Sequence, residues 1–135
     1  MPSAVTDAVR DRALAAETDL IARYDAALAL PTVAADSALT AKLSAIRAEH
    51  GSHAAAIKDG YQAGASPTSA GAPAAPTTAP PDAKSTVAAL IKAEQDASAA
   101  RTADILAADG ATAMLLASVA AAESGHAALL LGGAA

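Results

Sequence analysis

The sequence predicts an all-α fold of four long helices, arranged as two similar hairpins and joined by a long proline-rich crossover. Three observations predict it. Alanine dominates an apolar content of 53%, and alanine is the strongest helix former. No segment has the apolar–polar alternation of a half-buried strand, whereas several runs repeat apolar residues at threes and fours. The breaks between these runs fall at Pro31, at GASPTSAGAPAAPTTAPP and at Asp109-Gly110, where proline or glycine interrupts a helix.

With 135 residues the chain has the length of one domain, residues 1–135, with a single core. Phe and Trp are absent and Tyr occurs twice, so that core is expected to be thin, with alanine faces that let backbones approach. The first helix is expected from Ser3 to Leu30, with Pro31 ending it. The second begins at Asp36 or Ser37, either of which can cap it, and runs to Asp59 before Gly60. Five prolines lie between Gly64 and Pro81, so residues 60–81 read as an extended connection. The third helix covers residues 82–108. The Asp109-Gly110 turn leads into the fourth, residues 111–131, which Gly132-Gly133 closes.

The two halves resemble each other. AETDLIAR in the first helix and AEQDASAAR in the third share Ala-Glu-x-Asp and a following Arg. HGSHAA in the second helix and ESGHAA in the fourth share a further pattern. Aligned this way, Glu17 matches Glu94, His53 matches His126 and His50 matches Glu123. Two such hairpins leave the second helix ending at the opposite end from the start of the third. The connection must then travel roughly 35 Å at ~1.5 Å per residue, which about twenty extended residues span.

Each helix carries a core-facing stripe that is broken by Glu or His. The second has Leu39, Leu43, Ile46, His50, His53 and Ile57; the fourth has Thr112, Leu116, Val119, Glu123, His126 and Leu130. The first has Leu14, Glu17, Ile21, Tyr24 and Leu28; the third has Val87, Leu90 or Ile91, Glu94, Ser98, Arg101 and Ile105. Counting from the hairpin turns near Val33 and Asp109, Glu17, His50, Glu94 and Glu123 each lie about 14–17 residues away. All six Glu and His residues therefore fall in one layer. Ionisable groups buried without partners are costly, and metal ions held by glutamate oxygens and imidazole nitrogens would compensate them.

The arrangement resembles the carboxylate-type metal proteins of the ferritin-like superfamily, closest to their small bacterial domains. Those proteins use one Glu from each of two helices and Glu-x-x-His from the other two. Glu17 and Glu94 resemble the lone glutamates, and Glu123-Ser124-Gly125-His126 is a full Glu-x-x-His. The resemblance implies a four-helix bundle whose long crossover is residues 60–81. It also implies a central metal site with Glu17, His53, Glu94, Glu123 and His126 as ligands, completed by His50 or Glu49. Iron is the first expectation, one or two ions per chain, with zinc or manganese as alternatives and no organic cofactor. Redox-active iron would imply an oxidase or metal-handling role. This chain departs from the pattern at His50-Gly51-Ser52-His53, where Glu49 stands one place early. Histidine in place of a bridging glutamate weighs against a bridged di-iron centre, so a single ion, zinc or a degenerate site fits as well.

Other classes are disfavoured. Net charge −5 with pI ≈ 4.9 leaves no basic footprint for nucleic acid. Without cysteine there are no disulfides, iron–sulfur clusters or thiolate zinc sites. The N-terminal stretch lacks the pattern of a secretory peptide. The most apolar run carries Glu123 and His126 in its middle, so no membrane span is expected. These features read as a cytoplasmic protein. Tyr24 is expected to be a core tyrosine with a bonded hydroxyl, and Gly51 and Gly125 to mark close helix packing. No general base or substrate pocket is legible, and whether the protein is an enzyme stays open. The chain is compatible with a homodimer and names no protein partner. The competing reading is a non-catalytic helical interaction module with a metal-free Glu/His layer.

Overall fold

A computed structural model describes residues 4–59 and 82–133. The described residues are helical throughout apart from short connections, with no strand among them. Four long helices, α1 (Ala4–Leu28), α3 (Ser37–Lys58), α4 (Ala83–Ala107) and α5 (Gly110–Gly133), are accompanied by a single turn, α2 (Pro31–Ala34). The connection expected over residues 60–81 lies outside the described residues.

Local chemistry sets these boundaries. Pro31 opens α2 instead of merely ending α1, because its fixed φ suits a first helical position and it has no N–H to satisfy there. Asp36 caps α3 by accepting a hydrogen bond from the Leu39 N–H at 3.0 Å. Asp82 does the same for α4 with the Ser85 N–H at 2.6 Å, and the Asp109 carboxylate takes the Thr112 N–H at 2.9 Å in the first turn of α5. Each cap satisfies a donor with no partner inside its helix. α5 begins at Gly110 and continues through Gly133, so the glycine pair expected to close the helix is its last turn.

α1 packs chiefly along α3, α4 along α5, and α1 along α4, while α3 and α5 touch far less. Two apolar clusters make up the core. Tyr24 and Ala27 of α1 join Val33 of α2, Leu43 and Ile46 of α3, Leu90 of α4 and Leu130 of α5. The second cluster has Val9 and Ala13 of α1, Ile57 of α3 and Leu116 of α5, with Ile105 of α4 packed against it. The first thus combines the C-terminal halves of α1 and α5 with the N-terminal halves of α3 and α4, and the second combines the opposite halves. Neighbouring long helices therefore run antiparallel.

Ion pairs tie α1 to its neighbours. Arg47 of α3 reaches Asp25 at 2.8 Å. Arg12 of α1 reaches Asp104 at 2.9 Å, and the other Asp104 oxygen receives the buried Arg101 at 3.0 Å. Asp96 pairs with Lys92 on the exposed side of α4 at 2.9 Å. Gly51 and Gly125 do not mark close packing. A Cβ at either position would meet nothing within 4 Å, so the expectation of tight helix approach there is corrected. Among the described residues, α5 is long and apolar enough to cross a membrane by length and composition, with mean hydropathy 1.5 over Gly110–Gly132 and a third of its most apolar window buried.

Candidate metal centre

Between the two apolar clusters, each long helix contributes ionisable side chains to one layer: Glu17 from α1, His50 and His53 from α3, Glu94 from α4, Glu123 and His126 from α5. Steps of three and four along each stripe keep these positions on the inward side. Glu17, His50, Glu94 and Glu123 are completely buried and His126 is 4% exposed. The His53 side chain is 18% exposed, at the edge of the layer.

His50 sits in the middle. Its Nδ1 is 3.3 Å from both Glu17 oxygens, and its Nε2 is 2.6 Å from Glu94 Oε1. Glu17 Oε1 also faces His53 Nδ1 at 2.7 Å, and Glu94 Oε1 accepts the Tyr24 hydroxyl at 2.7 Å. His126 turns its Nε2 outward to Glu49 Oε2 at 2.7 Å, leaving its Nδ1 3.4 Å from Glu94 Oε1. The ring centroids of His50 and His126 are 4.9 Å apart.

These contacts govern protonation. Burial would raise the Glu17 pKa, but hydrogen bonds from His50 and His53 and the charge on these rings lower it to about 2. Burial opposes a charged His50, yet its hydrogen bonds to Glu17 and Glu94 and the charges of both carboxylates raise it to about 9. Burial resists ionisation of Glu94 as well, but His126, His50 and the Tyr24 hydroxyl lower its pKa. His126 is raised: burial acts against its charged form, and Glu94 and Glu49 overcome it. Glu123 behaves in the opposite way. Burial, and then the negative charges of Glu17 and Glu94, push it up to about 8 against the pull of Arg101 and His50. At neutral pH the metal-free layer thus sets cationic His50 against anionic Glu17 and Glu94 and keeps Glu123 protonated.

Hydrogen bonding is unevenly satisfied. Glu17 receives donors from α3, whereas Glu94 Oε2, both Glu123 oxygens and His126 Nδ1 are buried with no hydrogen-bond partner. All four atoms belong to the α4–α5 hairpin. Native interiors pair nearly all their polar atoms, and Thr86 Oγ1 and Arg101 Nη1 of α4 are likewise buried without a partner. Two groups have ligand atoms within 4.8 Å of one another, Glu17–His50–His53 and His50–Glu94–His126. Each is a two-imidazole, one-carboxylate set that a first-row transition metal accepts. Glu123 belongs to neither group, although its charge is felt by the same layer.

The sequence stripes therefore converge on one place, while two contacts escaped them. Glu49 is exposed on the rim of α3 and meets His126 instead of the interior. Tyr24 lies about 10 Å along α1 from Glu17 by helical rise, yet its hydroxyl reaches Glu94. Rise arithmetic ignores the reach of a tyrosine side chain, and only the neighbour's register reveals the bond. A surface cleft of about 430 Å³, lined by Asp36, Leu39, Lys42, Lys84, Val87 and Leu130 among others, includes no member of the layer. No protein-family model matches the chain, nor does any curated protein or solved structure.

Proposed function

We propose that this chain is a metal-binding protein of ferritin-like type, a four-helix bundle whose central Glu/His layer holds a first-row transition metal, with iron the first candidate and zinc or manganese the alternatives. The observation that carries this reading is Glu123. It is completely buried, neither oxygen has a partner, and it faces a layer where Glu94 Oε2 and His126 Nδ1 also lack one. The support for the bundle is the pairing of α1 with α3 and of α4 with α5 around that layer. A bound metal would supply Lewis-acid chemistry or, if iron, electron transfer.

The test is elemental analysis of protein purified without added metal, beside the double variant Glu123→Ala, His126→Ala. Stoichiometric metal that the variant lacks is the expected result. Chelation should lower the unfolding temperature on the order of 10 °C, since a ligand at 100 times its Kd stabilises by ~2.7 kcal/mol. Failure to take up iron, zinc or manganese on reconstitution would refute the reading.

Two observations favour the competing function. Glu17, His50 and His53 already bond one another, and Leu106, Met114, Leu129 and Leu131 stand exposed. A structural layer in an interaction module would have both features, and its stability would be indifferent to chelator.

A further inference from the structure

We propose that the layer is built for one divalent ion, held by His50 Nε2, His126 Nδ1 and Glu94, with Glu17, Glu49 and Tyr24 as positioning residues outside the coordination sphere. This rests on the metal-binding reading above and narrows its Glu/His layer to an asymmetric set of ligands.

The assignment follows from donors and acceptors. A neutral imidazole has one N–H and one lone pair, and an ionised carboxylate can only accept. His126 Nε2 faces Glu49 Oε2 at 2.7 Å, so in the neutral, metal-binding form its N–H lies there and the Nδ1 lone pair points inward. That Nδ1 is buried, unpartnered and 3.4 Å from another acceptor, Glu94 Oε1. A proton on Nδ1 joins these two atoms in the metal-free layer, and a bound ion would take that proton's place. His50 faces carboxylates on both sides and satisfies both as a cation in the metal-free layer; with an ion bound, one nitrogen keeps its N–H and the other is the ligand. Glu94 Oε2 and His126 Nδ1, which lack partners, belong to the same ligand group as His50, which places the ion at His50 Nε2 and the N–H at Nδ1.

Glu17 is then an outer carboxylate. It accepts from His50 Nδ1 and from His53 Nδ1, at 3.3 Å and 2.7 Å, and orients His50 as Glu49 orients His126. Tyr24 fixes Glu94 through its Oε1, leaving Oε2 free. Such outer partners set the tautomer and angle of metal-bound histidines. The same count limits the layer to one ion. A second, at Glu17–His50–His53, would need a second lone pair from His50. Two imidazoles and one carboxylate suit Fe(II), Co(II) or Zn(II) and disfavour Mg²⁺ and Ca²⁺.

Cobalt(II) is the probe, because its visible bands report both stoichiometry and ligand field. The metal-free full chain is titrated beside Glu17→Gln, Glu49→Gln, His53→Ala, Glu94→Gln and His126→Gln, with helicity checked by circular dichroism. One cobalt per chain is expected. Glu17→Gln and Glu49→Gln should keep the band shape while weakening binding about 10–100-fold. His53→Ala should keep one ion and the same bands, and Glu94→Gln and His126→Gln should lose the bands. Two cobalt ions per chain would overturn the proposal, as would loss of cobalt from folded His53→Ala as complete as from His126→Gln. The stoichiometry of the unmodified chain decides one ion against two even where a ligand variant does not fold. If the unmodified chain takes up no cobalt, zinc or iron(II), metal binding itself fails and the ligand assignment falls with it.

Discussion

Replacing Glu123 by Gln should stabilise the metal-free protein at neutral and alkaline pH. The carboxyl is wholly buried, its oxygens have no partner, and its pKa is raised from 4.5 to about 8. Below 4.5 it is protonated in both folded and unfolded chains and contributes no pH dependence. Between 4.5 and about 8 the folded chain keeps the proton and the unfolded chain releases it. Stability therefore falls as pH rises, by about 1.4 kcal/mol per pH unit from this one group. Across the whole window the loss is roughly 4–5 kcal/mol, and by pH 7.5 it is roughly 4 kcal/mol. Glutamine has the shape and neutrality of the protonated acid, so it removes this loss. Denaturant unfolding of the metal-free wild type and Glu123→Gln from pH 5 to pH 8.5 measures it. The two should nearly coincide at pH 5 and diverge towards pH 8, with the variant more stable. His50 adds to the wild-type slope and stays in the variant: its pKa is raised to about 9, so its stabilisation is complete below the unfolded value of 6.5 and fades as pH climbs through 9. Parallel slopes, or a variant weaker than wild type at pH 8, would refute the account of Glu123 as a carboxyl held neutral by burial and neighbouring charge.

Three further outcomes are expected in the metal-free protein. Tyr24→Phe removes the 2.7 Å bond to Glu94 Oε1 and should lower stability by about 1.5–3 kcal/mol, as for other hydrogen bonds to charged groups; the denaturant midpoint reads this directly. Gly125→Ala should raise stability by about 0.5–1 kcal/mol, because the new methyl meets nothing within 4 Å and glycine is a poor interior helix residue; a fall in unfolding temperature would mean that the position touches something outside this chain. Leu43→Ala, at a position with no exposure in the larger apolar cluster, should destabilise by about 2–5 kcal/mol in a thermal or denaturant melt.

Residue spacing alone placed Glu17, His50, Glu94, Glu123 and His126 on inward stripes, and each is buried. It could do so because a helical period and a turn position fix both the face and the height of a residue. What spacing could not supply was partnership. Glu49 is one step off the stripe, and whether it turns inward or lies along the rim depends on how closely α3 and α5 approach. Tyr24 reaches Glu94 through the length of its side chain. The one-turn helix at Pro31 was read only as a stop, because the same proline property that ends one helix begins another. The glycines misled for a different reason. Close packing is one cause of a helical glycine, and the space around Gly51 and Gly125 shows that it does not operate here.

The polar layer also interrupts the hydrophobic core. Tyr24, Leu43, Ile46, Leu90 and Leu130 form one cluster, and Val9, Ala13, Ile57 and Leu116 another. Burial at one end therefore does not extend as continuous apolar contact to the other. The helices are shared, but their two halves unfold together only as strongly as the layer couples them. Whatever neutralises that layer, protons or a metal, is then also what makes the protein a single cooperative unit. With the coupling weakened, the smaller cluster should open first, and amide exchange would be faster there than around Tyr24.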